Sequence, residues 1–69
     1  MRTLREEWTG ELVGRMHVAE VTQEELAKEM NVKKSYVSMI LNGKRTPKGG
    51  RERLEAAFAN IIARRREAV

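Results

Sequence analysis

Side chains that could do chemistry are scarce in this chain of 69 residues. It has one histidine, His17, two serines, Ser35 and Ser38, and neither aspartate nor cysteine. Neither a Ser-His-Asp triad nor a Cys-His pair can be assembled from that set. The absence of cysteine excludes disulfides and thiolate metal sites, and a single histidine cannot build an imidazole cluster. Paired glutamates are the remaining catalytic option, but the glutamates fall in patterns typical of solvated helix faces. The inventory therefore predicts a binding protein, not an enzyme, with no cofactor and no metal.

The distribution of charge is more informative than the net value of +4. Residues 1–32 carry four basic side chains against seven acidic ones, a net −3. Residues 33–51 carry six basic side chains (Lys33, Lys34, Lys44, Arg45, Lys48, Arg51) and no acidic one. Residues 52–69 add only +1. A basic block beside an acidic segment is the electrostatic footprint of a phosphate-binding face, with a solvated Lys-rich loop as the alternative. No apolar run approaches the ~18 residues of a membrane helix, and nothing reads as a signal peptide. The expected location is the cytoplasm, with no membrane partner.

Four helical segments must position these groups, and nothing alternates like a strand. Thr3-Leu-Arg-Glu6 fits a capping box that opens a helix reaching about Val18. Leu4, Trp8, Leu12 and Met16 recur every four residues along it, with Val13 beside them. Gly10 and Gly14 weaken this helix by up to ~1 kcal/mol each against Ala. Either another backbone passes close to them, or the helix begins nearer Trp8. Thr22-Gln-Glu-Glu25 is a second capping box, opening a short helix that Asn31 ends in the left-handed conformation. A third helix spans Lys34 to Leu41, with Val37, Ile40 and Leu41 inward, and Asn42-Gly43 ends it by the same logic. Pro47 and two glycines break the basic loop that follows. Leu54, Ala57, Phe58, Ile61 and Ile62 give the fourth helix a clean inward stripe, which runs out into Arg64-Arg-Arg66. The expected fold is all-α: a compact domain of four to five short helices filling residues 1–69.

Two short helices about three residues apart, followed by a basic loop, describe a helix-turn-helix core over residues 22–43. Its demands are met in one window: Ala27 is small at the crossing, Asn31 accepts positive φ, and Val32 plugs the corner. Residues 21–47, VTQEELAKEMNVKKSYVSMILNGKRTP, resemble the lambda-repressor/Cro-type (Xre-like) helix-turn-helix family. The likeness extends more weakly from about Trp8 to Ile62. It departs at Asn31, where the family usually has glycine, and at Lys33, where it often has a serine cap. A lysine there opposes the helix dipole and supplies no cap, which phosphates or guanine edges would relieve. The alternative is that Lys33 and Lys34 simply extend into water.

The resemblance implies a sequence-specific regulator of bacterial or phage type, repressor-like, with helix 34–41 reading the major groove of double-stranded DNA. It assigns Gln23 to grip a phosphate and brace the reading helix. Lys34 and Ser35 match positions that read base edges. Lys33, Tyr36, Ser38 and Met39 complete the outward face, and Asn42 matches a phosphate-contacting position, extended by Lys44, Arg45 and Lys48. Tyr36 packing on the first helix and Met39 joining the core are the competing readings. One such domain offers few base contacts, so a homodimer on a palindromic operator is expected, associated with the nucleoid. The second functional reading is an antitoxin-like module that masks a protein partner. Trp8 reads as core or as a dimer contact, and Arg64–Arg66 as a solvated helix end or a source of non-specific DNA affinity.

Overall fold

The computed structural model describes residues 7–67. Over that range the chain forms α1 (Glu7–Ala19), α2 (Gln23–Met30), α3 (Lys34–Leu41) and α4 (Gly50–Glu67), with no strand among the described residues. The four-helix all-α expectation holds. The capping box at Thr3–Glu6 and the placement of Leu4 lie outside the described residues.

The core is aliphatic and draws on every helix: Leu12 and Met16, Leu26 and Ala27, Val37, Ile40 and Leu41, and Leu54, Ala57 and Ile61. Val21 joins it from the corner between α1 and α2. Six of these side chains have less than 2% of their surface exposed. Truncating one of the fully buried leucines to Ala would cost about 2–5 kcal/mol, a large part of the stability of so small a domain. α4 packs across both α1 and α2, while α3 lies against α1 and α2. The longest helix is thus the brace behind the two short ones.

Local chemistry explains the corners. Thr22 accepts a hydrogen bond from the Glu25 amide at 3.1 Å, and Glu25 Oε1 accepts one from the Thr22 amide at 2.9 Å. Both halves of the expected capping box are therefore present. α1, α2 and α3 each end on a left-handed residue: Glu20 (φ 59°), Asn31 (φ 60°) and Gly43 (φ 79°). In each case the next residue's amide reaches back over the last turn: Val21 to Met16, Val32 to Ala27, and Lys44 to Met39, at 2.8–2.9 Å.

Several expectations need correction. Asn42 is not left-handed (φ −91°), so Gly43 alone makes that turn. Val13 stands 37% exposed, and the buried neighbour of Leu12 on α1 is Thr9 instead. Phe58 and Ile62 are half-buried at the edge of the core. Among the described residues, no other part of the fold comes within 4 Å of where a Cβ would sit on Gly10 or Gly14, so no described backbone explains those glycines. Trp8 packs half-buried against the core.

Candidate nucleic-acid interface

α3 is built to present one side. Val37, Ile40 and Leu41 are buried, which turns Lys34 and Ser35 outward at its N-terminus. Lys33 occupies the cap position in extended backbone and gives no side-chain cap hydrogen bond. Lys33, Lys34 and Ser35 are all exposed, so the leading edge of α3 is a polar, positively charged point. Its backbone is nonetheless fixed from behind, because the amides of Asn31 and Val32 are held by α2 carbonyls.

Further along the helix, the Asn42 side-chain amide donates to Ser38 Oγ at 3.1 Å. Tyr36 and Met39 are half-buried, between the two readings that the sequence left open. Tyr36 packs against the core with one part and offers its ring to the Arg45 guanidinium, whose carbon lies 5.6 Å from the ring centre. That cation–π contact holds Arg45 beside α3. The amides of Lys44 and Arg45 both donate to the Met39 carbonyl, at 2.8 and 3.2 Å, so the start of the basic loop is anchored to α3. Gln23 sits half-buried at the first residue of α2.

Thus Lys33, Lys34, Ser35, Ser38, Asn42, Lys44 and Arg45 cluster on α3 and the turn that leaves it. Lys48 is exposed farther along the same loop. Among the described residues, Lys33, Lys34, Lys44 and Lys48 form no ion pair. Arg51 separates from this group: its guanidinium binds Glu55 at 3.2 Å, one turn along α4. Its charge is therefore partly neutralised within the fold, and the basic face consists of five cations instead of six.

The acidic side of the molecule is organised differently. Arg64 pairs with Glu29 at 2.7 Å. Arg65 pairs with Glu25 at 3.0 Å, donates to the Glu20 carbonyl at 2.9 Å and also donates to the Ala19 carbonyl. The Glu25 carboxyl is held below its ordinary value of 4.5, first by the Thr22 amide and then by Arg65. The hydrogen bond from Arg64 lowers Glu29 in the same direction. Arg64 and Arg65 are exposed, as expected of a solvated helix end, but they are also held by partners on the other helices. They tie α4 to α2 and to the end of α1. No local pattern signals partners 35 to 46 residues apart, so sequence reasoning missed them.

His17 is exposed in the last turn of α1, and no three His, Cys, Asp or Glu side chains among the described residues converge on a metal-sized site. No helix among them is long and apolar enough to cross a membrane. Residues 19–51 match the helix-turn-helix family model, from the end of α1 through α2, α3 and the basic loop to the start of α4. No curated protein and no solved structure matches the chain.

Proposed function

From a helix-turn-helix of the lambda-repressor/Cro (Xre-like) type at residues 19–51, a DNA-binding segment of the transcription-regulator kind, we propose a sequence-specific, repressor-like DNA binder. α3 enters the major groove of double-stranded DNA N-terminus first. Lys34 and Ser35 meet base edges there, with Lys34 suited to guanine O6 and N7. Lys33, Lys44, Arg45 and Lys48 flank them and take phosphates, and Gln23 at the start of α2 takes another on the near strand. Ser38 and Asn42 continue the contact along α3. Half-buried Tyr36 and Met39 contribute an edge only: Met39 lies against a thymine methyl, and Tyr36 holds Arg45 in place.

The observation that supports this most is the pairing pattern. Among the described residues, the four lysines around α3 have no acidic partner, while Arg15, Arg51, Arg64 and Arg65 do. Clustered like charges repel, and a polyanion relieves that repulsion. One protomer gives few base contacts, so two copies bind a palindrome with half-sites ~10 base pairs apart or a multiple of that. Repression follows from occlusion of the promoter. The setting is the bacterial or phage nucleoid.

The test is fluorescence anisotropy on a duplex selected from a random pool and on a random duplex, across a salt series. Wild type is expected to prefer the selected duplex and to lose affinity with a log–log slope of roughly −4 to −5 per protomer, from five cations at ~0.9 each. Lys34→Ala/Ser35→Ala should weaken the selected duplex by about 10–100-fold and the random duplex far less. Equal loss on both duplexes would reduce α3 to a basic surface. No binding at low salt would overturn the reading and turn the search to a protein partner.

A further inference from the structure

Lys34, Ser38 and Asn42 stand at i, i+4 and i+8, one ridge along the outward side of α3. Lys34 is exposed and opens the ridge, Ser38 is half-buried one turn behind it, and Asn42 is exposed where the helix ends. The last two are joined twice. The Asn42 backbone amide donates to the Ser38 carbonyl at 2.9 Å, and the Asn42 side-chain amide donates to Ser38 Oγ at 3.1 Å. The backbone bond fixes the register in which the two side chains meet.

The direction of the side-chain bond has a chemical consequence. A serine hydroxyl both donates and accepts, so a serine in the major groove can meet either kind of group on a base. Here Oγ is already accepting, and its proton cannot point at Asn42, whose own N–H lies there. In helices such a proton is often taken by the carbonyl four residues back, here that of Lys34. Among the described residues the Ser38 hydroxyl donates to no group, so its proton is left for a ligand. Accepting from Asn42 also polarises the hydroxyl and strengthens it as a donor. Bases differ at one exocyclic position in the major groove: guanine and thymine carry a keto oxygen, adenine and cytosine an amino group. A hydroxyl held as a donor suits the keto bases.

We propose that Asn42 sets the sequence preference of Ser38, making it a donor that selects a keto base, guanine or thymine, over an amino base at one position of each half-site. This rests on α3 being the groove-bound helix, as in the function proposed above, and specifies what one turn of that helix reads. Ser38 touches the base, and Asn42 is a positioning residue that acts through it.

The test is fluorescence anisotropy on the selected duplex and on duplexes in which each base pair of the half-site is replaced in turn. Wild type, Ser38→Ala, Asn42→Ala, Asn42→Asp and the double variant Ser38→Ala/Asn42→Asp are compared, each checked for wild-type helicity by circular dichroism. Wild type is expected to favour a keto base at one position by about three- to tenfold, the range of one neutral hydrogen bond. Ser38→Ala should abolish that preference and leave the other positions unchanged, and Asn42→Ala should reduce it with Ser38 still present. Asn42→Asp should invert it towards adenine or cytosine, because the carboxylate accepts the Ser38 proton and leaves Oγ to accept from the base. The added negative charge weakens every duplex, a loss that cancels in the ratio between bases at one position. The double variant should show no inversion.

A common loss on all duplexes in both Asn42 variants, with the keto preference intact, would overturn the proposal and leave the DNA reading standing. A base scan that Ser38→Ala does not alter would do the same. Wild type that binds no duplex at low salt would overturn the DNA reading, and this proposal with it.

Discussion

The chain contains two clusters of basic side chains, and the fold uses them in opposite ways. Near α3, Lys33, Lys34, Lys44 and Lys48 extend without acidic partners, and Arg45 rests on the Tyr36 ring. At the end of α4, Arg64 and Arg65 are bound to Glu29, Glu25 and the carbonyls that close α1. By composition alone the second cluster is the more DNA-like, since it is three consecutive arginines. What separates the two is the neighbourhood that the fold supplies. Glu25 and Glu29 of α2 pair with α4, whereas Glu24 borders the same surface as Lys34 without an ion pair between them. The lysines around α3 are left without an acidic partner among the described residues, whereas Arg64 and Arg65 hold α4 to α2.

Breaking the structural cluster should produce the larger change. Arg65→Ala removes hydrogen bonds to two carbonyls and to the Glu25 carboxylate. The site is partly exposed, so the expected loss is about 1 kcal/mol, read as a fall of roughly 4–8 °C in Tm. The salt slope of DNA binding should not move. Because the folded Glu25 and Glu29 carboxyls titrate below their ordinary value, the stability they contribute is fully present above pH 4.5 and is lost as pH falls through the lowered values. Wild type should therefore lose Tm on acidification below pH 4.5, and Arg65→Ala should lose less. An equally steep acid limb in the variant would remove Arg65 from that account.

The same anchor bears on a strained residue. Glu20 is left-handed, a conformation that costs a non-glycine residue about 1 kcal/mol or more, and Arg65 grips its carbonyl. Glu20→Gly should raise Tm by a few degrees, part of the relief being offset by the extra freedom of glycine in the unfolded chain. A decrease would mean that the Glu20 side chain contributes something the backbone geometry does not reveal.

The smallest effect belongs to the other cluster. Lys48→Gln should leave Tm within measurement error and make the salt slope shallower by ~0.9 per protomer, weakening selected and random duplexes alike. An unchanged slope would place Lys48 off the phosphate path. A change in Tm would erase the contrast between the two clusters.

Much of the fold was legible because its signals are local. Thr22 and Glu25 are three residues apart, and their reciprocal hydrogen bonds depend on little else. Asn31 and Gly43 are among the few residue types that accept positive φ readily, so two helix ends could be placed from residue identity. The inward stripe of α3 follows from helical periodicity, and that stripe fixes by exclusion which face holds Lys34 and Ser35. The left-handed turn at Glu20 carried no such signal, since glutamate has no preference for it. Tyr36 and Met39 were legible only as a choice, because each sits where the inward and outward faces of α3 meet.

The sequence by itself determined four helices, the Thr22–Glu25 capping box, the left-handed ends at Asn31 and Gly43, the aliphatic core and the basic leading edge of α3. Each of these depends on spacings of a few residues, where backbone geometry leaves little choice. Which charges remain free, which are spent on structure, and which apolar edge stays uncovered were decided by the tertiary structure. Those outcomes depend on pairs far apart in the chain, such as Arg65 with Glu25, and only the packing of α4 across α1 and α2 brings such pairs within reach.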